Sequence, residues 1–378
     1  MATGSGTVAA AEAPLPPLPD GAFTVVVVPD TQHYLGPGTK LKRKASKADK
    51  FRGDARYASI DGLAWADAEA AKTPDEVTNP FLRRHVDWIL ERRDEQNIAF
   101  VTHVGDIVEI DRPEEWRVAA AELDRLRGRV PFGLVVGNHD MAKPGDARNF
   151  QAAFPAASFA DEPWYVGCFG PDDKTGPRAA AADSHVSIDN VNSAQTVDVG
   201  GVRLLLVHLE CNAPDDVLAW AGRQIDAHPD RRVVVVTHMD LGIREKPTTE
   251  AGYIHDPKGR MRWAKRHGDD GNTPEQMWDK LYRRHPRIDL VLSGDQSRVT
   301  AMRQTDRADD GHPIHALLSD YMSLGPLRLL RFVPSRDGAI ERVDVVTYDT
   351  ALDRLVEAMP YAPDRDAHQF SIPFGSNR

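Results

Sequence analysis

The sequence predicts an α/β fold, and three observations carry that prediction. Six apolar runs recur along the chain, each ending in a short polar cluster. Segments with helical periodicity lie between several of them. Near the C-terminus two strand-like runs follow one another with no helix between. Strands separated by helices imply βαβ units and a largely parallel core, and the last pair implies an antiparallel edge or part of a second sheet.

In chain order, residues 1–21 read as a flexible tail rich in Ala, Gly and Pro. Phe23–Val28 is the first strand and runs into Pro29-Asp30-Thr31-Gln32. Residues 36–78 form a long polar insertion with a basic run (Lys40, Lys42, Arg43, Lys44, Lys47, Lys50), read as a solvated stretch. A helix over Pro80–Gln96 follows, with Asn79 as its cap and Pro80 in the first turn. Ile98–Val101 leads into His103-Val104-Gly105-Asp106, and Pro113–Arg127 is a helix stopped by Gly128. Phe132–Val136 leads into Gly137-Asn138-His139-Asp140. A Gly/Pro-rich insertion covers 161–182. Val202–Val207 ends at His208-Leu209-Glu210, Val217–Ala227 is helical, and Val233–Val236 ends at Thr237-His238. The third insertion is 241–272. Thr273-Pro274-Glu275-Gln276 matches a capping box and opens a helix through Arg284. Ile288–Leu292 ends at Ser293-Gly294-Asp295-Gln296-Ser297. Arg328–Val333 and Arg342–Tyr348 complete a domain drawn as 22–362, with 363–378 as a C-terminal tail.

Composition narrows the function. The formal net charge of −10 argues against general nucleic-acid binding, which depends on basic surfaces. The two cysteines, Cys168 and Cys211, form neither a redox pair nor a zinc-ligand spacing. No run approaches the ~20 apolar residues of a membrane span. The N-terminus has no basic, apolar leader, so the expected location is the cytoplasm, or outside it after removal of a signal. Oligomeric state is not readable from the sequence.

Ligands of open α/β sheets bind beyond the carboxyl ends of the strands. Asp, Asn, Gln and His recur there, so these clusters are expected to converge as oxygen and nitrogen donors. Gly105-Asp106-x-x-Glu109 and Gly137-Asn138-His139-Asp140, in this order behind strands, resemble the calcineurin-like metallophosphoesterases. Asp30-Thr31-Gln32 is similar to the family's first block, with Gln where many members have His, and His238 to its lone-histidine block. The resemblance covers roughly Phe23 to Tyr348 and implies a layered sandwich of mixed β-sheets flanked by helices, with a metal site at the strand ends.

Its implied chemistry is hydrolysis of a phosphoric mono- or diester by a metal-activated water. Two divalent ions about 4 Å apart neutralise the phosphoryl group and hold the attacking and leaving oxygens. By resemblance, Asp106 bridges both ions, Asp30 and Gln32 hold the first, and Asn138 and His238 the second. His139 is the general acid or transition-state hydrogen-bond donor, and Glu109 orients it. The family's last block is Gly-His-x-His, whereas this chain has Gly294-Asp295-Gln296-Ser297. Asp295 remains able to ligate as a charged oxygen donor, and Ser297 is a poor ligand. Such an oxygen-rich set suits Mn²⁺ or Mg²⁺, with Fe and Zn²⁺ as alternatives, and occupancy by a single ion is the alternative stoichiometry.

Other residues are open between two roles. His103 is read as a hydrogen-bonded residue behind the site rather than a ligand. His208 is balanced between a substrate contact and a place in the core. In the third insertion, His255, Lys258, Arg260, Arg262, Arg266 and His267 offer an anion-gripping lid, with His255 and Arg260 as substrate contacts; the alternative is a solvated loop. At the level of function, the alternative to an enzyme is a catalytically impaired protein of the same fold that binds an anionic ligand or partner. A nuclease would require the basic insertion to line a groove.

Overall fold

The computed structural model describes residues 14–40, 48–180, 185–336 and 338–374. Along the chain its strands are β1 (Phe23–Val28), β2 (Ile98–His103), β3 (Phe132–Leu134), β4 (Tyr165–Cys168), β5 (Ser193–Val199), β6 (Val202–Leu209), β7 (Arg232–Thr237) and β8 (Leu241–Ile243). They continue as β9 (Lys258–Arg260), β10 (Ile288–Ser293), β11 (Ala301–Arg307), β12 (Pro313–Ser319), β13 (Pro326–Pro334), β14 (Ile340–Asp349), β15 (Arg354–Leu355) and β16 (Gln369–Pro373). The helices are α1 (Gly62–Ala70), α2 (Pro80–Arg92), α3 (Pro113–Leu123), α4 (Arg148–Ala153), α5 (Asp215–Ala227), α6 (Glu250–His255) and α7 (Pro274–Lys280).

Two mixed seven-stranded sheets result. One runs β15-β14-β13-β1-β2-β3, with β16 also on β14; the other runs β11-β12-β10-β7-β6-β5-β4. In the first, β1, β2 and β3 are parallel; in the second, β6, β7, β10 and β12 are parallel. The six apolar runs are therefore β1, β2, β3, β6, β7 and β10. Period-two alternation explains why they read as continuous. Val25 and Val27 of β1 meet Leu204 and Leu206 of β6 in a core between the sheets, while Val26 and Val28 face Leu82, Val86 and Ile89 of α2. On the far side, Leu205 and Val233 pack on Val217 and Ile225 of α5. The layers run helix, sheet, sheet, helix.

Helix starts follow local chemistry. Asn79 Oδ1 accepts from Leu82 N at 3.0 Å, and Thr273 and Gln276 form the reciprocal capping box that opens α7. Two sequence expectations need correction. Arg328–Val333 is not an edge: β13 lies inside the first sheet, antiparallel to β1 and β14. Residues 363–378 are not simply a tail, because β16 pairs with β14 and buries Ile372. The insertions carry structure of their own: α1 lies in 36–78, β4 in 161–182, and the β8–β9 hairpin and α6 in 241–272. Near the N-terminus, Arg331 donates to the Pro16 carbonyl at 2.8 Å, docking that stretch. Lys42, Arg43, Lys44 and Lys47 lie outside the described residues; Lys50 pairs with Glu250 at 2.7 Å. Among the described residues no helix is long and apolar enough to cross a membrane. Neither Cys168 nor Cys211 is in a disulfide.

Candidate metal centre and active site

The polar clusters behind the two parallel strand sets meet at one end of the sandwich. Asp30 follows β1, Asp106 follows β2, and His238 follows β7; their ligand atoms lie within 4.8 Å of one another, all buried, and could hold a metal ion. Close backbone approach makes this convergence possible. A Cβ on Gly137 would lie 2.1 Å from Asp106 N, and one on Gly294 would lie 2.1 Å from Asp30 Oδ1. Asp106 (φ 52°) and Asp295 (φ 72°) both adopt the left-handed conformation. Such backbone strain persists where surrounding contacts enforce it.

Histidine tautomers follow from the partners. The Val104 carbonyl accepts from His238 Nδ1 at 2.9 Å, so in the neutral ring Nε2 carries the lone pair. That atom faces Asp106 Oδ1 at 3.1 Å and Asp295 Oδ1 at 3.4 Å, out of line for a good hydrogen bond to either. A lone pair against two carboxylates requires a cation between them or a proton on the ring. Burial opposes the proton, but Asp106, Asp295 and Asp30 outweigh it and raise the His238 pKa. Burial, with Asp320 and the other carboxylates, pushes Asp30 well above its usual range. Gln32 brings a side-chain nitrogen that is buried without a partner. Crowded carboxylates and the unshared His238 Nε2 lone pair fit a divalent cation, to which Gln32 would offer its amide oxygen rather than that nitrogen.

His139 is partly exposed at the edge of a cleft of about 210 Å³, also lined by Gln32, Asp106, Lys265, Asp295 and Ser297. Its Nδ1 donates to the main-chain carbonyl of Glu109 at 2.8 Å, which leaves Nε2 free to exchange protons. The expected carboxylate contact is looser: Glu109 Oε2 is 3.6 Å from Nδ1, and Lys40 pairs with that side chain. Glu109 therefore orients His139 mainly through its backbone. Two hydrogen-bonded supports of the loop are visible only in the structure. Asp140, fully buried, accepts from Val108 N at 2.9 Å and Gly137 N at 2.7 Å. Asp106 Oδ1 accepts from His139 N at 2.8 Å.

Lys265 is the largest omission of the sequence reading. Its Nζ donates to Asn138 Oδ1 at 2.6 Å and pairs with Asp295 Oδ1. Burial disfavours its charge, yet Asp295, Cys211 and Asp106 prevail and its pKa rises. No motif marks Lys265; a Trp263-Ala264-Lys265 triplet in an insertion carries no such signal. Asp320, buried and lining the same cleft, was also missed; it precedes three consecutive residues with positive φ.

The remaining histidines and the basic insertion resolve differently. His103 Nδ1 accepts from Gly105 N at 3.1 Å and its Nε2 contacts Thr31 Oγ1 at 3.0 Å, behind the site. His208 is a core residue, not a substrate contact: it is bonded to Gln195 at 2.6 Å and Thr102 at 2.8 Å, and burial lowers its pKa to about 3. His255 is exposed at the end of α6 and does not line the cleft. Arg260 is likewise no lid residue. It is buried, donates to Asp240 Oδ1 at 2.6 Å, lies 3.0 Å from Asp306 and stacks on Trp278. Arg262 pairs with Glu275 and Glu245 on the surface. Arg260→Ala would leave Asp240 buried without its cation, so a loss of about 3–5 kcal/mol is expected in denaturant unfolding. KM for charged phosphoesters should stay unchanged in the folded fraction.

Comparison with known proteins yields a relative, structural neighbours and a family. The chain is 25% identical over 297 residues to the uncharacterized protein YvnB of Bacillus subtilis (strain 168), a match covering 75% of this chain. The chain spans only 19% of that relative's length. Among solved structures, similarity extends to a 5'-nucleotidase precursor from Thermus thermophilus (TM-score 0.44, 12% identity, 91% of this chain and 56% of that one). It extends also to the sulfate thiohydrolase SoxB of the same organism (TM-score 0.45, 14% identity, 90% and 59%). The family model for calcineurin-like phosphoesterases matches residues 24–298, most of the 378-residue sequence, and the chain belongs to that family.

Proposed function

We propose that this chain hydrolyses phosphoric mono- or diesters in a divalent-metal-dependent reaction. The observation that carries the reading is the buried convergence of Asp30, Asp106 and His238 beside a cleft that His139 borders. Asp30, Gln32, Asp106 and His238 would hold the metal, and their oxygen-rich character favours Mn²⁺ or Mg²⁺. A divalent ion there supplies charge neutralisation for the phosphoryl group and a more acidic water. The chain's own residues do the rest. His139, its ring fixed by the Glu109 carbonyl, would donate from Nε2 to the leaving oxygen. Asp140 holds the loop so that His139 N stays on Asp106. Arg298, stacked on Tyr253 at 4.6 Å, and Trp263 line the same cleft and would receive the esterified group.

The test is turnover of p-nitrophenyl phosphate and bis(p-nitrophenyl) phosphate by chelator-stripped protein before and after Mn²⁺ or Mg²⁺ is restored. Metal-dependent release of nitrophenol supports the reading. Absence of turnover, together with measurable binding of inorganic phosphate, would favour the anion-binding alternative. The Lys265–Asp295 pair at the altered last motif is the feature that keeps that alternative in view.

A further inference from the structure

We propose that the ammonium of Lys265 takes the place of the second divalent ion, so that the site binds one metal per chain. The inference rests on the metal-dependent reading above. By resemblance the second ion would draw on Asp106, Asn138, His238 and Asp295. Two of those donors are already committed to a cation of the chain itself. Lys265 Nζ donates to Asn138 Oδ1 at 2.6 Å and pairs with Asp295 Oδ1. The other Asp295 oxygen accepts from Gln296 Nε2 at 2.6 Å. An ion ligated by these same two oxygens would have to occupy the position that Nζ already fills, so the ammonium and a second divalent ion exclude one another there.

The residue types support this. A neutral imidazole offers an ammonium one lone pair and no charge, whereas a carboxylate offers a negative charge and several acceptor directions, so Asp at this position can hold a lysine as His could not. Asp295 at a position where histidine would ligate is thus matched by Lys265 rather than being an isolated loss. Trp263, 5.3 Å from Nζ to its ring centre, presents a face to the same cation. The Lys265 side chain is only 24% exposed, so the ammonium is held inside the cleft rather than dangling at its rim. The donors left over belong to the first position: Asp30 and Asp106, with His238 Nε2 in reach, and the amide oxygen of Gln32 from the same strand end. Lys265 would also present a positive charge to the phosphoryl group at a point where the family is expected to present an ion.

The experiment counts ions. Chelator-stripped wild type, Lys265→Ala and Lys265→Arg are equilibrated with Mn²⁺. Bound metal per chain is measured by equilibrium dialysis with elemental analysis, and Mn²⁺ spectra are recorded by electron paramagnetic resonance. Thermal unfolding is followed in parallel to verify that each variant is folded. One ion per chain with an uncoupled Mn²⁺ spectrum is expected for wild type. Lys265→Ala should gain a second ion and an exchange-coupled spectrum, whereas Lys265→Arg, which retains a cation, should remain at one. Two ions in wild type, or one ion in folded Lys265→Ala, would overturn the proposal and leave the metal-dependent reading standing. No ion in wild type would overturn both.

Discussion

Asp106→Asn is expected to reduce divalent-metal affinity by more than about 100-fold and to abolish measurable hydrolysis. Losing a residue that merely orients a ligand already costs 10–100-fold in affinity, and Asp106 itself points into the cluster. Asn is the informative replacement. It can keep the hydrogen bond from His139 N, and it tolerates the left-handed conformation that Asp106 adopts at φ 52°. What disappears is the charge. A ligand that binds only the folded state stabilises it by about 2.7 kcal/mol at one hundred times its Kd. Wild type should therefore melt at a higher temperature when Mn²⁺ is added, and Asp106→Asn should show no such shift at the same concentration. An unchanged metal-induced shift in the variant would remove Asp106 from the ligand set.

His139→Gln should separate chemistry from metal binding. The side chain sits beside the cluster with Nδ1 engaged by the Glu109 carbonyl, and no metal donor depends on it. Turnover of an alkyl phosphate should fall by about 10²–10⁴-fold, the usual contribution of a positioned proton donor. Bound metal and the metal-induced rise in melting temperature should remain. Because a good leaving group needs little protonation, bis(p-nitrophenyl) phosphate should suffer less than an alkyl phosphate. Equal losses on both would move His139 from proton donation to electrostatic support. Loss of metal in step with activity would make it a ligand.

Much of the site was legible because parallel strands buried on both faces leave a plain trace. Runs such as Val25–Val28 and Val233–Val236 are apolar at every position, and the first polar residues after them must lie at the strand ends. Asp30, Asp106, Asn138, His238 and Asp295 were found this way, and the fold brings them together. The same logic left His208 open between the site and the core. It too ends a strand, but the neighbouring sheet covers it, and Gln195 from the adjacent β5 satisfies its ring. Charge misled in the third insertion. Arg260 reads as a surface cation until Asp240, Asp306 and Trp278 are seen to enclose it.

The sequence by itself determined the α/β class, the six strands that deliver the polar clusters, the helix N-caps at Asn79 and Thr273, and the family. Each rests on interactions between residues close in the chain: alternation along a strand, a capping box four residues long, a Gly-Asp turn. Only the tertiary structure decided which cations meet which acceptors. Lys265 and Asp295 are 30 positions apart, Lys265 and Asn138 are 127 apart, and Arg331 reaches Pro16 across 315. No periodicity links such positions. Their pairing follows from β13 inserting beside β1 and from the β8–β9 insertion folding back onto the strand ends, where desolvation makes an unpaired charge costly and so selects its partner.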